Sequence, residues 1–152
     1  MKKVAEIMTR NVEVVSPQDN IRRAAKMMDE LNVGAVPVCE NNRLLGMITD
    51  RDITVRATAY GKVPDQTKVA DAMSTRVQWC SEEDDVDEVH RKMSQAQVRR
   101  IPVLSRDQQL VGIVALGDLA ESGEDRVDDT LRNISTPAQP DRSQTGPGGA
   151  RM

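Results

Sequence analysis

The sequence contains no phenylalanine, one tryptophan (Trp79), one tyrosine (Tyr60) and one histidine (His90). So few aromatic rings argue against single-strand nucleic-acid binding, in which bases stack on exposed side chains. A lone histidine in a helical stretch argues against a zinc site or a histidine-based triad within one chain. The two cysteines, Cys39 and Cys80, lie far apart and outside any C-x-x-C spacing, as reduced cytosolic thiols do. No apolar run is long enough for a transmembrane helix, and the N-terminus, Met1-Lys2-Lys3 followed by Val4-Ala5-Glu6, lacks the apolar stretch of a signal peptide. An excess of positive charge is missing too. With 21 basic and 24 acidic side chains the net charge is −3, so no basic field attracts nucleic acid or anionic membrane. These absences predict a cytoplasmic protein without membrane attachment, catalytic residues, metal ligands or required cofactor.

What is present is Val, Ile, Leu, Ala and eight Met, within a composition of 38% hydrophobic and 30% charged residues. That is soluble globular territory. An internal repeat is also present. A shift of 65 residues aligns Val4-Ala5-Glu6-Ile7-Met8-Thr9 with Val69-Ala70-Asp71-Ala72-Met73-Ser74, and Val33-Gly34-Ala35-Val36-Pro37-Val38 with Val98-Arg99-Arg100-Ile101-Pro102-Val103. One further residue in the next turn brings Leu44-Leu45-Gly46-Met47-Ile48 onto Leu110-Val111-Gly112-Ile113-Val114, and Asp52 onto Asp118.

Each unit reads as strand, helix, strand, strand, helix, an α/β (α+β) chain of tandem β-α-β-β-α repeats. Val12–Val15 is β-rich and ends at the helix-start signal Ser16-Pro17. Ile21, Ala24, Ala25, Met28 and Leu31 form a helical stripe, matched by Val86, Val89, Met93 and Ala96. The acidic residues Glu82, Glu83, Asp84, Asp85, Asp87 and Glu88 favour the positive end of that second helix. Pro37 and Pro102 suit the first residue of a strand, and Asp50–Ala59 and Asp118 onward read as closing helices. Boundaries follow at 4–64 for the first repeat and 65–134 for the second with a C-terminal helix. Residues 135–152, with no Val, Ile or Leu, read as a disordered tail. Units of about 60 residues bury too little alone. They are expected to pack with pseudo-two-fold symmetry, leaving two clefts suited to small molecules.

The pattern resembles the CBS (cystathionine-β-synthase) domain, and the tandem resembles a CBS pair, or Bateman module. Ile7-Met8, Val33 to Val38, Gly46-Met47-Ile48-Thr49-Asp50-Arg51-Asp52-Ile53 and Gly112-Ile113-Val114-Ala115-Leu116-Gly117-Asp118-Leu119 carry the resemblance, over roughly 4–134. Asp52-Ile53-Thr54-Val55-Arg56 and Tyr60 to Asp65 are most similar to stand-alone bacterial two-repeat proteins, including the hypoxic-response type. The resemblance implies regulatory binding of AMP, ADP or ATP, or of S-adenosylmethionine or NAD. It also implies a homodimer through the helices, where exposed Met and Ala would suit contact, and an unidentified regulated protein.

By resemblance, a first cleft combines Thr49, Asp52, Gly46 and Ile48 with Val77, Gln78, Val98 and Arg99. Asp52 would accept from the ribose hydroxyls and Thr49 would donate to phosphate. A second, weaker cleft combines Asp118 and Arg100 with Val12, Glu13, Val33 and Gly34, and Ala115 stands there where the motif has Thr. Other readings stay open at these positions. Thr49 with Asp52 is also a plain capping box, Gly46 and Gly112 suit tight packing, and Arg99-Arg100 also reads as a solvated basic pair. With few aromatics, adenine would be held by aliphatic side chains and backbone, and Trp79 suits core or interface better than a base platform. Two rival functions remain, a ligand-independent interaction or stress protein, and a thiol-based sensor through Cys39.

Overall fold

The computed structural model describes residues 2–121 and 127–135, with the side chains of 127–129 excepted. Its elements are α1 (Val4–Ile7), α2 (Ile21–Leu31), β1 (Ala35–Glu40), β2 (Arg43–Thr49), α3 (Asp50–Arg56), β3 (Cys80–Ser81), α4 (Val86–Ala96), β4 (Arg100–Leu104), β5 (Leu110–Ala115), α5 (Leu116–Glu121) and α6 (Val127–Ser135), with short 3-10 turns between α3 and β3. No described helix is long and apolar enough to cross a membrane.

The two halves are built alike. β1 and β2 form an antiparallel hairpin, as do β4 and β5. β3 runs parallel to β4 through Cys80 and Val103, and Val15 makes the matching parallel bridge to Val38. The expected strand Val12–Val15 is thus reduced to one bridging residue. Val12 and Val14 instead pack on Cys39, Leu104 and Leu110, an apolar cluster drawn from both repeats. The hairpin ends also meet there, through a bridge between Arg43 and Gln109 and a bond from Leu110 N–H to the Asn42 carbonyl, 3.0 Å.

Pro37 and Pro102 sit at the third position of their strands rather than the first. The Pro37 carbonyl accepts from Val15 N–H at 3.1 Å. Its donorless nitrogen therefore faces the same flank, beyond the single Val15 bridge, and no ladder bond is lost.

The two cores are assembled by exchange. Val69, Ala72 and Met73 pack into the first core with Val15, Ile21, Ala24, Met28, Val36 and Ile48. Val4 and Met8 pack into the second, with Cys80, Val86, Val89, Met93, Ile101 and Leu119. Each packing unit thus takes its leader from across the expected division at 64 and 65. The docking bonds are symmetric: Val4 N–H donates to the Asp84 carbonyl (2.9 Å) and Val69 N–H to that of Asp19 (2.7 Å). Ala5 N–H donates to the Glu82 carbonyl (3.1 Å) and Ala70 N–H to that of Pro17 (3.0 Å). Much of the acidic run is therefore a docking turn before α4, and only Asp87 and Glu88 lie in the first helical turn.

Helix faces are slightly rotated from the stripe read in the sequence. In α2 the buried set is Ile21, Ala24, Met27 and Met28, while Ala25 and Leu31 are exposed. In α4, His90 joins Val86, Val89 and Met93. α6 packs against α4, and Thr130 Oγ1 lies 2.6 Å from His90 Nδ1, both residues being buried. His90 has no counterpart across the repeat, since Ala25 stands at the matching place. The first closing helix stops at Arg56, followed by the 3-10 turn Thr58–Tyr60. The tail expected to be disordered lies outside the described residues, apart from Ser135 at the end of α6.

Candidate functional site

A cleft of about 460 Å³ opens between the repeats. It is lined by Gly34, Ala35, Met47, Thr49 and Asp52 from the first repeat and by Ser74, Arg76, Val77, Gln78, Ala96, Val98, Arg99 and Arg100 from the second. Six expected first-cleft residues meet here: Thr49, Asp52, Val77, Gln78, Val98 and Arg99. Gly46 and Ile48 stand outside. Ile48 is fully buried in the first core. Gly46 is pressed against the Ser74 backbone, and a Cβ there would fall inside the Ser74 carbonyl. Sequence reading missed Met47, Ser74, Arg76 and Ala96. The signal for Arg76 was its place one residue before Val77, on the connection between leader and first strand.

Thr49 ends β2 and caps α3. Its Oγ1 accepts from Asp52 N–H (2.9 Å), and its own N–H donates to Asp52 Oδ2 (3.0 Å). This is a reciprocal capping box, and it still leaves chemistry for a ligand. The Thr49 hydroxyl hydrogen is not consumed by accepting. Among the described residues, Asp52 Oδ1 has only Arg56 Nε, 3.7 Å away, an ion pair too long for a hydrogen bond. The cap therefore fixes two groups on the cleft wall, one able to donate and one able to accept.

A smaller cleft of about 260 Å³ lies at the symmetric position, lined by Thr9, Asn11, Val12, Glu13, Leu31, Val33, Ala35, Val36, Pro37, Arg100 and Ile113. It brings Val12, Glu13, Val33 and Arg100 together. Gly34 lines the first cleft instead, and Asp118 lines neither. Asp118 Oδ2 accepts from Ala115 N–H at 2.8 Å, and Ala115 has no hydroxyl to return the bond, so Asp118 caps α5 from one side only.

Cys39 is buried in the cluster between repeats, and burial pushes its thiol up to about 11. Cys80 is pushed up to about 12, chiefly by burial, with Asp84 and Glu88 adding to it and Lys92 and Arg91 opposing. Neither is a ready nucleophile at neutral pH. Trp79 is neither core nor fully exposed. It lies half-open in a small surface hollow with Lys92 Nζ 5.5 Å from its ring centroid. The methionines expected on exposed helix faces are mainly interior: Met27, Met28 and Met93 are buried.

Comparison with known proteins agrees with this architecture. The CBS domain family model matches residues 4–57 and 69–125. The chain is 42% identical over 137 residues to the CBS domain-containing protein YhcV of Bacillus subtilis, covering 89% of this chain and 96% of that one. It is 34% identical over 121 residues to Hypoxic response protein 1 of Mycobacterium tuberculosis, covering 79% and 84%. A crystal structure of Hypoxic Response Protein I with two coordinated zinc ions superposes with a TM-score of 0.74 at 33% identity, covering 79% of this chain and 98% of that one. The CBS domain pair of MJ0100, solved with 5′-methylthioadenosine and S-adenosyl-L-methionine, gives 0.71 at 27% identity, covering 81% and 96%. Among the described residues of this chain, no three His, Cys, Asp or Glu side chains are grouped to hold a metal ion, so those residues do not fit a zinc centre within one chain. Two repeats that exchange their leaders, face each other across two clefts and match the family model over both halves place the chain in the CBS domain family, as a CBS pair of the hypoxic-response-like kind.

Proposed function

We propose that this chain is a non-catalytic cytoplasmic sensor that binds an adenine nucleotide (AMP, ADP or ATP) in the first cleft. The observation that carries the reading is the Thr49–Asp52 cap, which presents a hydroxyl donor and a carboxylate acceptor on one wall, opposite arginines on the other. Asp52 Oδ1 would accept from the ribose hydroxyls, and Thr49 would donate to a phosphate oxygen. Val77, Val98, Met47 and Ala96 supply an aliphatic slot for the base. Because the wall is shared between repeats, a ligand that touches both couples its binding to their relative angle, and so to a regulated partner. Leu31, Val55, Tyr60 and Val63 are exposed apolar side chains that suit contact with a second copy, to be checked by sedimentation.

A thermal-shift and calorimetric screen of AMP, ADP, ATP, S-adenosylmethionine and NAD tests the reading. Binding by an adenine nucleotide that disappears in Asp52→Ala supports it, while the unliganded variant should stay within about 1 kcal/mol of wild type. If no adenosine compound stabilises the protein at millimolar concentration, the sensor reading is wrong. The half-cap at Ala115 favours the second reading, a ligand-independent interaction protein, which that negative result would leave standing.

A further inference from the structure

The first cleft carries a charge pattern that the repeat does not require. Arg76, Arg99 and Arg100 all line it, and no carboxylate pairs with any of the three among the described residues. Among the described residues, Arg22, Arg23, Arg56, Arg91 and Arg106 each have a carboxylate partner, and Arg10, Arg43 and Arg51 have none, so what sets the cleft apart is that three such arginines line one cavity. The carboxylate in this cleft, Asp52, already has Arg56 as its counter-charge, so it does not offset the other three. Three guanidinium groups without carboxylate partners around one cavity favour a multiply charged anion there.

The symmetric cleft serves as an internal control. By the repeat, Arg76, Arg99 and Arg100 match Asn11, Gly34 and Ala35, and Gln78 matches Glu13; of the three arginines only Arg100 also lines the second cleft. The basic cluster therefore belongs to these side chains and not to the fold. Guanidinium groups present paired donors that fit phosphate oxygens two at a time. One phosphate can satisfy only part of a three-arginine array, and each further phosphate brings more oxygens and more negative charge. S-adenosylmethionine is the opposite case, with a sulfonium and an ammonium against a single carboxylate.

We propose that Arg76, Arg99 and Arg100 form a polyphosphate receptor, so that the first cleft ranks adenosine ligands by phosphate-chain length, ATP above ADP above AMP and all above S-adenosylmethionine. The inference rests on reading that cleft as the adenosine site. Arg76 is its specificity-determining residue. It is contributed by the segment joining the exchanged leader to β3, it is exposed, and it comes from the other repeat than the capping box that would hold the ribose.

Isothermal titration of the full chain with AMP, ADP, ATP and S-adenosylmethionine, in EDTA so that the phosphates keep their charge, tests the ranking. Affinity should rise roughly tenfold with each added phosphate, and salt should weaken ATP more than AMP. Arg76→Ala should cut the ATP-to-AMP preference roughly tenfold while moving AMP affinity less than about threefold. Arg76→Lys, keeping charge but losing the fork, should restore part of the preference. Unliganded melting of both variants should match wild type, because the side chain is exposed. Asp52-dependent AMP binding with no gain from further phosphates, or a preference untouched by Arg76→Ala, overturns this inference and leaves the sensor reading intact. Absence of binding by every adenosine compound overturns both.

Discussion

The two clefts are the same construction with different linings. Each lies between a leader, the connection into a first strand, the end of a long helix and the residues entering the next strand. Position by position, Ser74 answers Thr9, Val77 answers Val12, Val98 answers Val33 and Met47 answers Ile113. What differs is chemistry: Ala96 against Leu31, Arg76 and Arg99 beside an Arg100 that both clefts share, Gln78 against Glu13, and a full cap against a half cap. The repeat decides where a pocket forms, and single substitutions decide what it can hold. The volumes follow, about 460 Å³ where the helix ends in Ala96 and about 260 Å³ where Leu31 projects instead.

The comparison can be broken hardest at the glycines that let each leader dock. A Cβ at Gly46 would overlap the Ser74 carbonyl, which is backbone and is tied down by Met47 N–H at 3.0 Å and by Ser74 N–H to the Met47 carbonyl at 2.8 Å. At Gly112 a Cβ would meet Met8 Sδ at 2.6 Å and the Thr9 carbonyl at 2.9 Å. The thioether can swing away, while the carbonyl must shift by less than Ser74 would. Gly46→Ala should cost about 3 kcal/mol or more, and Gly112→Ala about 1–2 kcal/mol, by urea denaturation. Equal costs would mean that the two leader contacts are not distinguished by what the new methyl strikes.

A reciprocal exchange of the cleft-floor residues should have the next largest effect. Ala96→Leu should reduce ligand binding in the first cleft by at least about tenfold through lost volume, with less than about 1 kcal/mol of stability change at this half-open site. Leu31→Ala should enlarge the second cleft but not create comparable nucleotide binding, because Glu13 stays and Arg76 and Arg99 do not line it. Gain of tight binding there would show volume, rather than charge, to be the deciding difference. Calorimetric stoichiometry reads both outcomes.

Much of this was legible in the sequence because the repeat is written in apolar positions. The stripes of α2 and α4 and the hairpins follow from local periodicity and from matching one half to the other, while the residues that meet in the first cleft were implied by the resemblance to the CBS family. The leader exchange was not legible. Val4, Met8, Val69 and Ala72 are apolar residues on single turns too short to bury them locally, which says that they must dock but not on which core. His90 lies in a helix as expected, but its burial was not legible for a similar reason. Its burial depends on α6, and the first repeat offers Ala25 as the matching residue, exposed and uninformative. Ile48 and Gly46 were drawn into the site because they flank Thr49 in the motif. Strand alternation and the crossing leader turn one into core and the other into a contact with backbone.

Repairing the cap probes a smaller difference. Ala115→Thr gives α5 the hydroxyl that Thr49 gives α3, and Asp118 is already in place to return the bond through Ala115 N–H. A gain of about 0.5–1 kcal/mol is expected, without nucleotide binding in the second cleft, since Asp118 does not line it. A loss of stability would mean that β5 enters α5 at an angle in which the hydroxyl cannot reach Asp118 N–H.

The thiols make the finest distinction between the halves, because Cys39 stands where the second repeat has Leu104, and Cys80 where the first has Val15. Both behave as small apolar residues filling a place that an aliphatic fills across the symmetry axis. Burial holds both above the ordinary 9.0, at about 11 and about 12. A raised value means that the folded state keeps the proton which the unfolded state gives up. The contribution to stability is therefore full below about pH 9 and is lost as pH climbs through 11 and 12. Urea denaturation should show no thiol-dependent change between pH 6 and 8, and a fall in the alkaline range that is reduced in Cys39→Ala and Cys80→Ala. Native protein at neutral pH should leave both thiols unreacted with a disulfide reagent, and unfolded protein should release two equivalents. Rapid native labelling of Cys39 alone would mean that the cluster between the repeats opens on its own. That would restore the thiol-sensor reading which burial at this contact now opposes.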